Sequence, residues 1–223
     1  MSMKDIRADR ILYQDQHLFV VNKLDGELVV AAGGHGKTPL FDFLKKNHPE
    51  LRVVHRLDFG TSGVIVFART AEAVRRIRAS EFRGWIKRYR ALAAGRIALK
   101  EGTIERKLPA RTHNTLVDAV SHYKVIEAFP TASYTEVQIE TGRKHQIRQH
   151  LKFIGHPLLL DPVYGNEKLD RAFTKHFHYH RFFLHAFSLD FPHPLTGEKV
   201  HIEAGLPPSF EKALRELREK SGK

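Results

Sequence analysis

Apolar positions in this chain mostly recur at a spacing of two, in short runs broken by polar turns, and that period predicts strands. Ile11 to Lys23 reads as one or two strands around the polar Gln14-Asp15-Gln16. Val64 to Phe67 is a short buried strand, and Lys87 to Ile97 and Val120 to Phe129 are two longer ones. Alternation is clearest from Ala132 to Glu140, with Thr135, Val137 and Ile139 on one face and Tyr134, Glu136 and Gln138 on the other. Phe183 to Phe191 and Lys199 to Ala204 pair as a hairpin.

Helical spacing appears only in single insertions. A short amphipathic helix spans Leu40 to Lys46. Thr70 caps another running to about Phe82, with Glu72 in its first turn. A third starts at Thr141 and ends near Gly155, a left-handed cap. The last, Ser209 to about Lys220, sets Phe210, Ala213, Leu214 and Leu217 on one docking face. Strands dominate without regular strand–helix alternation, so the expected class is α+β, with residues 1–223 as a single domain.

Composition narrows the function. The 223 residues hold 37 Lys plus Arg against 25 Asp plus Glu, a net +12, with a pI near 9.9. Such a surplus attracts polyanions. The cations cluster at Arg75, Arg76 and Arg78, at Lys87, Arg88 and Arg90, and at Arg143, Lys144, Arg148 and Lys152, which favours a nucleic acid over a lipid surface. The longest apolar run, Gly63 to Ala68, is too short to span a bilayer. The absence of cysteine excludes disulfides, thiolate metal sites and cysteine nucleophiles, and it suits a reducing cytoplasm.

The chemistry concentrates at His55-Arg-Leu-Asp-Phe-Gly-Thr-Ser-Gly63: a carboxylate, Asp58, with a cation two residues before it and a turn after it. An Asp paired with Arg in a turn is ordinarily structural. The whole string, however, resembles the signature of the RluA-type pseudouridine synthases. Further elements match in order: Lys87-Arg-Tyr89; Gly142-Arg-Lys-His-Gln-Ile-Arg148-Gln-His150; Gly155-His-Pro, Asp161 and Tyr164-Gly165; and Leu184-His-Ala186. The resemblance spans about residues 11 to 207.

The resemblance implies a mixed, largely antiparallel sheet with two lobes flanking a cleft, and Asp58 as the anionic nucleophile at its floor. Whether that carboxylate attacks the sugar C1′, attacks the base or assists glycal formation stays open. Tyr89 would stack on uracil and take part in proton transfer at C5. Arg148 would pair with Asp58, keeping it ionised. Arg56 would enter the space left by a flipped base. His55, Lys87, Arg143, Lys144, His145 and Gln146 are the further expected RNA contacts. No cofactor and no metal are expected, and the partner is RNA: transfer RNA slightly ahead of ribosomal RNA, on the likeness of residues 141–197 to a tRNA-modifying branch. A monomer without an obligatory protein partner suffices, and the cytoplasm is the expected location.

Two departures from the family pattern stand out. Asn-Lys-Pro-x-Gly becomes Asn22-Lys23-Leu24-Asp25-Gly26, and the Gly-Asp after His156-Pro157 becomes Leu160-Asp161. The 54 residues before His55 are accounted for by catalytic-domain strands, so a separate RNA-binding module is not expected. Other signals are discounted. Gly34-His-Gly-Lys-Thr38 lacks the first glycine of a phosphate-binding loop, since position 31 is Ala31, and reads as a flexible loop near the RNA. His176, His178, His180 and His185 lack convincing carboxylate partners, with only the loop residues Glu167 and Asp170 near. Thr61 and Ser62 have no histidine base. The rival functions are an idle RNA-binding protein on the same fold and an RNA hydrolase using Asp58 as base; the latter has no second acid or metal set to support it.

Overall fold

The computed structural model describes residues 5–31, 36, 38–110, 115–179 and 181–222, and all of these except His176 at the side-chain level. In chain order the main elements are β1 (Ile11–Gln14), β2 (Leu18–Lys23), α1 (Leu40–Lys45), β3 (Arg52–Val53), β4 (Ser62–Ala68), α2 (Ala71–Ala79), β5 (Ile86–Ala94), β6 (Glu101–Glu105), β7 (Leu108–Pro109) and β8 (Leu116–Val117). There follow β9 (Val120–Ala128), β10 (Ala132–Ile139), α3 (Gln146–Phe153), α4 (Glu167–Phe177), β11 (Leu184–Pro192), β12 (Lys199–Glu203) and α5 (Pro208–Lys220). The class is α+β, as the pattern predicts. The chain forms two compact units, one from residues 1–86 and 186–205, the other from 87–185 and 206–223.

The first unit is built on the strand order β1-β2-β4-β11, with β3 on β4 and β12 on β11. The pairs β1–β2, β2–β4, β3–β4 and β11–β12 are antiparallel. β2 and β4 read as nearly continuous apolar runs because both of their faces are covered. Leu18, Val20, Val64 and Val66 enter a cluster with Ile77 of α2 and Trp85. The alternate residues Phe19, Val21, Ile65 and Phe67 enter another with Leu40 and Leu44 of α1. A one-residue slip of β4 would exchange these two sets. Thr70 caps α2 as expected, its side chain accepting from the Ala73 N–H, although the helix stops at Ala79 rather than Phe82.

The second unit orders its strands β5-β10-β9-β6, with a separate β7–β8 pair. β10 is antiparallel to both β5 and β9. The face carrying Thr135, Val137 and Ile139 is buried. Tyr134, on the other face, is buried as well, edge-on to Phe210 of α5. Phe210, Ala213, Leu214 and Leu217 dock that helix as their spacing predicts. α4 is an addition to the sequence pattern: Glu167 and Asp170 lie on a helix, which Asn166 caps by accepting from the Lys168 and Leu169 N–H groups.

Candidate functional site

In the first unit, β2 delivers Lys23 beside the loop that carries Asp58. Lys23 pairs in register with Gly63 and is completely buried. Its Nζ donates to the carbonyls of Leu24 at 3.0 Å, Phe59 at 3.2 Å and Thr61 at 2.6 Å. The Thr61 N–H donates to the Asp58 carbonyl, and the Gly26 N–H to that of Phe59. The loop from 58 to 61 is thus closed on itself and tied to the end of β2. Burial depresses Lys23 to about 8, while the carboxylates of Glu27, Asp25 and Asp58 pull the other way.

Asp58 is half-buried and Arg56 exposed in this loop. His55, expected to meet RNA, is tied into the fold: its Nε2 accepts the Val66 N–H at 3.0 Å, and its ring sits edge-on to Trp85. The turn ends at Gly63, whose φ of +107° is a glycine conformation. A Cβ there would overlap the Ala186 backbone. Sterics therefore account for the last letter of the motif.

In the second unit, Lys87 and Tyr89 lie two apart on β5, opposite Ile139 and Val137. Tyr89 packs against the cluster containing those residues. Lys87 is lowered to about 8 by burial, and its Nζ borders Gly142.

The segment expected to be helical from Thr141 becomes helical only at Gln146, because His145 adopts a left-handed φ of 53°. Gln146 is buried and organises this entry. Its Oε1 accepts from the Thr141 hydroxyl and the Arg143 N–H, and its Nε2 donates to the Val120 carbonyl. His150 is also buried, its Nδ1 2.9 Å from the Ser121 hydroxyl, and burial holds its pKa low. Two expected RNA contacts, His55 and Gln146, thus carry internal bonds that shape their loops. Arg143 and Lys144 are exposed, and Arg143 Nε donates to the Asp118 carbonyl.

Arg148 is buried and makes a forked pair with Asp161, Nε to Oδ2 and Nη2 to Oδ1, both at 2.7 Å. Its guanidinium also lies 5.1 Å from the Tyr164 ring centre and 4.8 Å from that of Phe182. Asp161 in turn accepts from the Val163 and Tyr164 N–H groups. Burial opposes its ionisation, but the Arg148 and backbone donors together hold its pKa below the usual carboxylate value. The Tyr164 hydroxyl lies 3.2 Å from His145 Nδ1. Asp161 and Lys23 were legible only as motif letters; their bonding roles carried no sequence signal.

The model of the RNA pseudouridylate synthase family matches residues 17–153. The chain belongs to the RNA pseudouridylate synthase family. Among this family's members it is 38% identical, over 232 residues, to a ribosomal large subunit pseudouridine synthase D of Neisseria meningitidis, covering 95% of this chain and 62% of that protein. It is 36% identical over 240 residues to the Pseudomonas aeruginosa protein of the same name, with 97% and 73% covered. The chain therefore spans less than two thirds of the Neisseria relative. Among solved structures, human RNA pseudouridylate synthase domain containing 4 superposes with a TM-score of 0.78 at 27% identity, covering 93% of this chain and 92% of that one.

Among the described residues no helix is long and apolar enough to cross a membrane, and no three His, Cys, Asp or Glu side chains group as metal ligands. Gly34, His35 and Lys37 of the glycine-rich loop, the His176 side chain and His180 lie outside the described residues.

Proposed function

We propose that this protein is an RNA pseudouridine synthase that isomerises a uridine in structured RNA, with Asp58 as its nucleophile. The observation that carries this is the Asp58 loop, which is closed by its own turn and tied to β2 by the buried Lys23 ammonium. A nucleophilic carboxylate must be held in one geometry to attack, and such a tether supplies that order. In the reaction the N1–C1′ bond of uridine breaks, the base rotates, and a C5–C1′ bond forms. The C5 proton leaves and N1 regains one, so atoms and charge balance without redox chemistry. By resemblance, Tyr89 and Arg148 serve the same reaction.

Large-subunit ribosomal RNA is the favoured substrate, because the Neisseria and Pseudomonas relatives are both named for it. The likeness of residues 141–197 to a tRNA-modifying branch is outweighed by these matches, which run over 95% and 97% of this chain. We further propose a cytoplasmic monomer without an obligatory protein partner, since the isomerisation needs one nucleophile and one flipped base.

Release of tritium from C5-labelled uridine, measured on ribosomal and transfer RNA separately, tests the proposal. The wild type should release label from ribosomal RNA, and Asp58→Asn should abolish release while retaining the fold and RNA binding. Binding without release from either pool would instead favour an idle RNA-binding protein.

A further inference from the structure

The departure at residue 24 has a structural counterpart three residues on. Proline would fix φ and remove an N–H; the exposed Leu24 leaves φ free and keeps its N–H, so the turn is held by what that N–H bonds. Glu27 provides the acceptor, with Oε2 2.8 Å from the Leu24 nitrogen. The same carboxylate is clamped by Arg10, from Nη1 at 3.0 Å and Nη2 at 2.6 Å, while Arg10 Nε donates to the Asn22 carbonyl. Both side chains are largely shielded, at 13% and 28% exposed. The turn so fixed includes Gly26 at a φ of +73° and contacts the Asp58 loop twice. The Leu24 carbonyl shares the Lys23 ammonium with Phe59 and Thr61, and the Gly26 N–H donates to the Phe59 carbonyl.

We propose that Glu27, clamped by Arg10, is a positioning residue for the Asp58 loop and does at Leu24 the work of a proline ring. This rests on Asp58 being the nucleophile. Glu27 acts through two links, turn geometry and charge. The charged groups facing the Lys23 ammonium are Glu27, Asp25 and Asp58, which favour it, and Arg10, which opposes it. Neutralising Glu27 removes the largest favourable charge and leaves Arg10 uncompensated. Lys23 then loses its proton at lower pH, and its grip on the Phe59 and Thr61 carbonyls weakens accordingly.

The test compares Glu27→Ala, Glu27→Gln, Glu27→Ala with Leu24→Pro, and Asp58→Asn on C5-tritiated RNA. Glu27→Ala should lower kcat by roughly ten- to a hundredfold, the scale of an ångström-sized misplacement, with KM for RNA little changed. Adding Leu24→Pro should restore most of that loss at a pH below the Lys23 pKa, where the ammonium keeps its charge, because the proline ring fixes the φ that the Glu27 bond otherwise holds. Glu27→Gln should keep the turn but move the alkaline limb of the kcat profile to lower pH. Wild-type turnover in Glu27→Ala, beside an inactive Asp58→Asn, overturns the proposal, as does a loss that Leu24→Pro leaves unrestored below the Lys23 pKa. Amide hydrogen exchange at Gly26 and Thr61 reads the loop without turnover. Faster exchange in Glu27→Ala supports the tether, and unchanged protection overturns it. Faster exchange in a protein whose wild type releases no tritium would sink the role of Asp58 while leaving the tether standing.

Discussion

Arg148 and Asp161 are joined by two parallel hydrogen bonds with their side chains 5% and 0% exposed. Burying two charges is costly, and such a pair is tolerated only when its remaining donors and acceptors are satisfied. Here Asp161 takes two further backbone N–H groups, and the guanidinium face lies over Tyr164 and Phe182. The fork fixes where α3 presents Arg148, and it ties that helix to the loop that follows it.

Removing one partner is therefore expected to be worse than removing both. Arg148→Ala leaves a buried carboxylate uncompensated and should cost about 3–5 kcal/mol. Arg148→Lys restores charge but not the two-pronged geometry, and should recover only part of the loss. Urea denaturation reads both variants, and a midpoint within error of wild type for Arg148→Ala would refute the pair's role.

Lys23 gives stability an unusual pH dependence. Its folded pKa, about 8, lies below the ordinary value of 10.5. Between these values the folded state gives up the proton first, so the unfolded state binds more protons and stability rises with pH. Below pH 8 both states are charged, and the folded one bears the burial penalty. A shift of this size corresponds to about 3 kcal/mol across the window. Lys87, also lowered to about 8, adds a slope of the same sign. Unfolding free energies from pH 7 to 10.5 should therefore climb more steeply for wild type than for Lys23→Met. Parallel curves would show that Lys23 is not the titrating group.

The sequence made the frame of each unit legible because its period follows burial. β4 is apolar throughout since both faces are covered, β10 alternates, and the Thr70 cap and the apolar face of α5 are local signals. α4 was missed although Leu169, Phe173 and Phe177 recur every fourth residue, because its charged first turn follows directly on a Tyr-Gly turn and reads as loop. α3 starts later than the pattern predicts because His145 takes a left-handed φ, and the Gln146 side chain holds the Thr141 hydroxyl and the Arg143 N–H in the loop before it. At the candidate site the motif located Asp58, but polarity misled at its neighbours. Gln146 and His150 look like surface residues and point inward, where Ser121 and backbone groups satisfy them. The Arg148 partner, Asp161, lies thirteen positions away across a loop, a separation that no local period encodes.

Gly63 should tolerate no side chain. Its φ of +107° disfavours any L-residue, and the space a Cβ needs is occupied by the Ala186 backbone. Relief would require parting β4 from β11, so Gly63→Ala should cost at least about 3 kcal/mol, in the range reserved for strain at special backbone positions and disrupted packing. Soluble expression and the thermal midpoint report the outcome. A variant as stable as wild type would mean that the two strands do not approach so closely.

Leu160 presents the opposite balance. It holds a left-handed φ of 63° where the family pattern has glycine, a conformation that costs a branched residue about 1–2 kcal/mol. Its side chain nevertheless remains, 9% exposed, in the cluster with Leu159, Phe173 and Phe183. Burying a leucine contributes about 1.5–3 kcal/mol, and the cavity left by its removal adds to the loss. Glycine would also raise the entropy cost of ordering the loop. Packing therefore outweighs backbone relief, and Leu160→Gly should destabilise by about 1–3 kcal/mol although it matches the family pattern. The Leu160 N–H bond to Asp170 is a backbone contact and survives the change, so the loop path should persist. A rise in the thermal midpoint of Leu160→Gly would show that strain, not packing, dominates at this position.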